Sequence, residues 1–218
     1  MKSTSSITTL LFDWDGTLAD SAHLGLAAFQ KTFAELGVAF AHEIYEAAYS
    51  PNWYSTYEAL GLPREKWQLA DELWQRHYSE KTASLVEGAA ETLLDLHRKG
   101  YRLGVVTSGT EDRVNVEIEQ AALLNVFEVV VCNEHIVHKK PHPEGIEIAL
   151  RWLDIRREET AYVGDAPEDI QMGKKAGVFT FGVRSNYPSN ARLSASEPDI
   201  YLESITELLH HFPGRAAE

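Results

Sequence analysis

Of the 218 residues, 44% are hydrophobic and 24% charged, the balance of a folded globular chain long enough for one core plus a smaller insert and too short for two full-sized enzymatic domains. A formal charge of −13 argues against nucleic acid or an anionic membrane surface as partner, because both are held by basic surface. No run approaches the ~18 apolar residues of a membrane span.

The chain opens on Met1-Lys2-Ser3-Thr4-Ser5-Ser6-Ile7, with one charge and no long apolar stretch, so a secretory leader is not expected. Ile7 to Phe12 is a short apolar run that stops at Asp13-Trp14-Asp15-Gly16-Thr17, where polar residues and a glycine mark the carboxyl end of a buried strand. Residues 21–86 lack β-branched runs. They read as several helices, with breaks at Ser50-Pro51-Asn52 and Gly61-Leu62-Pro63, and they carry Trp53, Trp67 and Trp74. Placed between two strands, this stretch far exceeds the usual βα connection of about 2–6 residues and is expected to form a separate helical insert over one end of the sheet. An amphipathic helix from Glu91 to Arg98 closes at Gly100 and leads into a second strand, Leu103 to Val106, followed by Thr107-Ser108-Gly109. Val129 to Cys132 is a third strand. Cys132, the one cysteine, excludes an intramolecular disulfide, fits a reducing cytoplasm and reads as a small core residue. The loop His138-Lys139-Lys140-Pro141-His142-Pro143 follows. Ala161 to Val163 ends at Gly164-Asp165, and Asp165 to Glu168 also reads as a helix start, with an acidic N-cap, Pro167 in the first position and Glu168 at N3; one carboxylate cannot fully serve as both cap and metal ligand, and the second role is the one preferred for Asp165. Phe179 to Val183 and Ile200 to Leu202 complete a βαβ pattern, and the tail from Gly214 to Glu218 is expected to fray.

In an open parallel sheet, ligands bind at the carboxyl ends of the strands. Four such ends carry chemistry here: Asp13 and Asp15, then Thr107 and Ser108, then Lys140, then Asp165 with Asp169 one helical turn onward. Carboxylates converging on one edge repel each other in a partly buried site, and a divalent cation resolves the conflict. An oxygen-only set with no His or Cys at zinc-like spacing suits Mg²⁺. A lysine and hydroxyls opposite the cation would bind a phosphoryl group, leaving one carboxylate free to attack it. The spacing of His135, His138 and His142 is irregular, and a transition-metal centre there is not expected.

These residues, in this order, resemble a known family. Phe12-Asp13-Trp14-Asp15-Gly16-Thr17-Leu18 is similar to motif I of the haloacid dehalogenase-like superfamily, Val106-Thr107-Ser108-Gly109 to motif II, Lys140-Pro141 to motif III, and Gly164-Asp165-Ala166-Pro167-Glu168-Asp169 to the GDxxxD motif IV. The overall look is phosphoglycolate phosphatase-like. The resemblance implies an α/β fold: a Rossmann-like parallel sheet core with three α/β/α layers, built from residues 1–20 and 87–218, with an inserted helical cap at 21–86. It implies Asp13 as nucleophile and Asp15 as general acid and then base. It places Thr107, Ser108 and Lys140 on the phosphoryl group and gives the Mg²⁺ to Asp13, the main-chain carbonyl of Asp15 and Asp165, with Asp169 behind them. Hinges would lie near Asp20-Ser21 and Val86-Glu87-Gly88, and Trp53 and Tyr54 occupy the loop where such caps meet substrate.

The expected protein is thus a cytoplasmic, Mg²⁺-dependent phosphatase of a small phosphorylated metabolite, a monomer or homodimer, with neither nucleic acid nor membrane as partner. The acid at Asp15 favours phosphoryl transfer over attack on carbon, since a phosphomonoester must protonate a poor leaving group. A phosphoglucomutase-like transfer, a pyrophosphatase and a non-catalytic binding protein on the same fold remain as alternatives.

Overall fold

The computed structural model describes residues 4–214, so the tail residues 215–218 lie outside the described residues. Six strands form one sheet, all parallel: β1 (Thr9–Phe12), β2 (Arg102–Val106), β3 (Val129–Val131), β4 (Thr160–Gly164), β5 (Phe179–Val183) and β6 (Ile200–Leu202). Their order is β3-β2-β1-β4-β5-β6, the doubly wound arrangement in which the chain changes direction across the sheet between β1 and β4. β1 pairs with both neighbours in register, Leu11 opposite Gly104 and Tyr162, and all four of its residues are buried. A strand covered on both faces carries apolar side chains toward both, which is why Leu10, Leu11 and Phe12 run without polar alternation after the buried Thr9.

Alternate residues feed two cores. Leu10, Phe12, Leu103, Val105, Ala161 and Val163 point to one side, where α5 (Ala89–Arg98) and α6 (Glu111–Gln120) cover them with Leu93, Leu96, Val114 and Ile118. Leu11 and Tyr162 point to the other, against Ile146 and Ala149 of α7 (Glu144–Leu153) and Met172 of α8 (Pro167–Ala176). Each fully buried side chain of this size contributes roughly 1.5–3 kcal/mol. Gly100 stops α5 as expected. At φ +80 it lets its own amide reach the His97 carbonyl (3.0 Å) and the Tyr101 amide reach that of Leu96 (3.1 Å), a Schellman closure.

Between β1 and α5 lie four helices, α1 (Ala22–Glu35), α2 (His42–Ala48), α3 (Trp53–Ala59) and α4 (Trp67–Tyr78), separated at both of the expected breaks. They share their own core, in which Phe29, Phe33, Tyr45, Tyr57 and Ala70 are buried. The two chain segments that join these helices to the sheet pair with each other: the Asp20 amide donates to Ser84 and the Val86 amide to Leu18, each at 2.8 Å. A short helix α9 (Asn190–Ala195) precedes β6, and α10 (Leu208–His211) follows it. Among the described residues, no helix is long and apolar enough to cross a membrane.

The start of α8 differs from expectation. Ala166, not Asp165, is its N-cap, and Asp169 rather than Glu168 occupies N3, where its carboxylate accepts the Ala166 amide at 2.9 Å. The shift of one residue keeps the Asp165 side chain out of the cap and available to the sheet edge.

Candidate active site

β1, β2 and β4 end side by side at the carboxyl edge of the sheet, and the residues after each strand inherit that placement. The Asp13 amide donates to Val163 (2.8 Å) and the Thr107 amide to Val131 (2.9 Å), so the ladder continues one residue past each strand and fixes both backbones where the side chains diverge. Asp13, Trp14 and Asp15 then go three ways. Asp13 is buried and its Oδ1 lies 2.7 Å from Lys140 Nζ. Trp14 enters the core and donates its indole N–H to Glu117 at 2.6 Å. Asp15 faces an open cavity of about 540 Å³ that runs between the sheet edge and α1–α4. Gly16 is required where it stands: at φ +85, a Cβ there would lie 2.4 Å from Asp165 Oδ2.

Lys140, buried, bridges Asp13 and Asp169, with Nζ 2.8 Å from Asp169 Oδ1. The two oxygens of Asp169 are therefore both occupied, one by Lys140 and the other by the Ala166 amide. Asp165 accepts from the Thr17 hydroxyl at 3.2 Å, while Ser189 donates to its main-chain carbonyl at 3.0 Å. One carboxylate oxygen from each of Asp13, Asp165 and Asp169 lies within 4.8 Å of the others. Burial pushes Asp13 up from 3.8 to about 7, the pull of Lys140 offsetting only part of that rise and Asp169 adding to it. Burial, with Asp169 and Asp13 nearby, raises Asp165 as well. Three buried carboxyl groups facing one ammonium are short of positive charge, and the missing charge has the hard-oxygen character of Mg²⁺. The donor set thus fits the cation the sequence implied.

Asp15 carries the main surprise. Its carboxylate is gripped by Arg113 of α6, Nη2 to Oδ2 at 2.5 Å and Nη1 to Oδ1 at 3.0 Å. Arg113 also reaches Glu117 at 3.0 Å, and its guanidinium lies over the Tyr78 ring, 4.7 Å from the centroid. Burial alone would raise Asp15, yet the Arg113 guanidinium holds it below the usual carboxylate range. Nothing local to Asp15 signals this partner. Arg113 and Glu117 are spaced i,i+4, which on a helix usually marks a solvated ion pair, and only the packing of α6 under the cavity turns that face inward.

Thr107 accepts the Gly109 amide at 3.0 Å, and the Ser108 hydroxyl, buried, has no partner among the described residues. Both line the cavity with Asp13, Asp15 and Asp165. Lys139 and Lys140, adjacent in sequence, part company. Lys139 leaves the site, donates to Asn133 Oδ1 at 2.6 Å and sits 3.6 Å from the centroid of Trp53. Trp53 lines the cavity, while Tyr54 stacks on Trp67 at 5.0 Å; both donate to Asp71, at 2.8 and 2.9 Å. On the other wall Tyr187 stacks on Tyr49 at 4.6 Å, and Arg192 donates to the Tyr49 carbonyl at 2.6 Å, tying the loop before α3 to the sheet domain. Arg113, Asp71, Tyr187 and Arg192 were not legible as site residues.

The three histidines separate. His135 accepts the Cys132 amide on Nδ1, whereas His138 and His142 stack at 4.5 Å on the exposed surface, near Glu144. Cys132 is buried, which pushes its thiol up to about 12.

Comparison with known proteins agrees with this geometry. Residues 10–183 match the family described as haloacid dehalogenase-like hydrolase. The pyrophosphatase PpaX of Bacillus velezensis is 35% identical over 208 residues, covering 94% of this chain and 95% of the relative. Among solved structures, a haloacid dehalogenase-like hydrolase from Bacteroides fragilis superposes with a TM-score of 0.85 at 22% identity, over 93% of this chain and 99% of that one. A predicted phosphoglycolate phosphatase from Haemophilus somnus 129pt gives 0.83 at 18% identity, over 94% and 98%; at such identities both share the fold. With four motif segments gathered at one sheet edge and the family match spanning most of its length, the chain belongs to the haloacid dehalogenase-like hydrolases and is an enzyme of that family.

Proposed function

We propose that the protein is a Mg²⁺-dependent phosphatase that hydrolyses a small phosphorylated metabolite through a phosphorylated Asp13. The observation that carries this reading is the buried Asp13–Lys140–Asp169 chain reaching, through Asp13 and beside Asp165, the cavity under α1–α4. An Asp13 oxygen attacks phosphorus and the bond from phosphorus to the leaving oxygen breaks, with Asp15 supplying the proton that oxygen takes up. In the second half Asp15 takes a proton from water, the water oxygen attacks the acyl phosphate, and phosphate leaves as Asp13 is regenerated. In the conformation described, Arg113 holds Asp15 as a carboxylate, the form that accepts the proton; donating one calls for Asp15 to loosen from Arg113. Lys140 and the Thr107 and Ser108 hydroxyls orient the phosphoryl oxygens. Asp13, Asp165 and the Asp15 carbonyl would hold Mg²⁺, which when bound supplies positive charge to the phosphoryl oxygens. Asp169, with both oxygens engaged, positions Lys140. Residues 21–86 act as the cap that closes over the site during attack on phosphorus, selects the leaving group, and opens to admit the water of the second half.

The test is phosphate release from p-nitrophenyl phosphate with Mg²⁺ and with EDTA. Turnover that survives complete chelation, or its absence under both conditions with natively folded protein, overturns the reading. Diphosphate hydrolysis is the second reading, favoured by the name of the PpaX relative, and pyrophosphate belongs in the same assay.

A pH dependence follows. Because Asp13 is raised from 3.8 to about 7, its contribution to stability is fully present below about pH 4 and is lost as pH rises through about 7. A divalent cation replaces the lost proton. Mg²⁺ at millimolar concentration is therefore expected to raise the Tm clearly at pH 8 and little at pH 5, measured by differential scanning calorimetry. An equal rise at both would show that these carboxyl groups do not bind the ion.

A further inference from the structure

The cavity holds more information than its phosphoryl end. About 540 Å³ lies in the common range of small-molecule pockets and is far more than a phosphoryl group fills, so the remainder belongs to the leaving group. Away from that end its lining is rich in aromatic side chains, Phe29, Tyr49, Trp53, Tyr57, Trp74 and Tyr78. Flat ring faces bind flat apolar groups well.

The charge on this wall is equally informative. Among the described residues, only two basic side chains line the cavity, Arg113 and Lys81. Arg113 is already committed to two carboxylates, Asp15 and Glu117. Lys81 is exposed, where water screens it. The neighbouring lysines are spoken for as well, Lys140 by Asp13 and Asp169, Lys139 by Asn133 and the Trp53 ring. Asp71, part-buried, meanwhile adds an acidic side chain to the lining, and Asp112 and Glu134 add two more at exposed positions, screened as Lys81 is. An anionic leaving group entering here would give up its hydration, meet no free cation inside the cavity and face these carboxyl groups. The phosphoryl end escapes that penalty because Lys140 and the metal site serve it.

We propose that the alcohol released from the substrate carries no negative charge and presents a flat apolar face. The enzyme then acts on phosphomonoesters of ring-bearing neutral alcohols and discriminates against diphosphates and phosphorylated carboxylic acids, a specificity that rests on the phosphatase reading above. Substrates matched in shape and differing in charge separate the two. With the full-length protein and Mg²⁺, kcat/KM is measured by phosphate release for benzyl phosphate and 4-carboxybenzyl phosphate, with pyrophosphate as a third substrate. The expected result is at least a tenfold preference for benzyl phosphate over its carboxylated partner, with pyrophosphate slower than benzyl phosphate. A ratio below ten, or faster pyrophosphate hydrolysis, overturns the inference and leaves a working phosphohydrolase in hand. Absence of phosphate release from all three overturns the phosphatase reading and the inference with it.

Discussion

Asp13→Asn is expected to lower turnover of p-nitrophenyl phosphate by roughly 10⁴-fold or more, because it removes the attacking oxygen while leaving the cavity's shape intact. The same substitution is expected to leave the metal-free fold as stable as the parent at pH 8, or more so. At that pH Asp13 is ionised among Asp169 and Asp165, in a burial that pushes it up to about 7, and its charge costs free energy when no cation is bound. Asparagine removes that charge but keeps the volume, and Lys140 retains Asp169 at 2.8 Å as its partner. The parent loses stability as pH rises through about 7 and the variant does not, so the gap in Tm should close below about pH 5. Two measurements decide it: the activity of freshly purified variant, and thermal melts in EDTA across that pH range. Residual activity above about a hundredth of the parent in natively folded protein would falsify the nucleophile assignment. A variant markedly less stable at pH 8 would mean that Asp13 is needed to hold Lys140 in place.

Arg113→Met is expected to carry the largest stability loss, about 3–5 kcal/mol, the usual cost of stranding a buried charge by removing its partner. Its side chain is 12% exposed and faces Asp15 at 21% and Glu117 at 3%, so two carboxylates lose their guanidinium at once. Burial already raises Glu117, and without Arg113 the favourable route for it is to take up a proton. Adding Glu117→Gln should therefore recover part of the loss, and the pair should be non-additive by about 1 kcal/mol or more. Urea unfolding of the two single variants and the double variant measures this directly. Additive losses would show that Arg113 and Glu117 do not share one network, and a loss under about 1 kcal/mol for Arg113→Met would show that water reaches the cluster.

The strands, the breaks between the helices and the four polar strand ends were readable from the chain because each is encoded locally. Leu10, Leu11 and Phe12 must be apolar to lie in a strand covered on both faces, and Gly16 must follow Asp15 because a Cβ there has no room beside Asp165. The N-cap of α8 falls on Ala166 and its N3 on Asp169 for an equally local reason. Asp and Ala both precede Pro167 in a sequence that offers two acidic groups, and only the backbone shows that Asp169 turns back to the Ala166 amide. Lys139 lies on Trp53, and nothing within its loop points to that ring, which belongs to a helix far earlier in the chain.

What the sequence by itself determined is the chemistry at the sheet edge: which carboxylates, which lysine and which hydroxyls follow which strands, since strand order and side-chain period carry them there. Only the tertiary structure decided the state and surroundings of those groups. Asp15 and Arg113 are 98 residues apart, and the aromatic wall that faces the leaving group is assembled from α1, α3, α4 and the loop before α3. Charge pairing and desolvation depend on distances of a few ångströms through space, and no spacing along the chain records them.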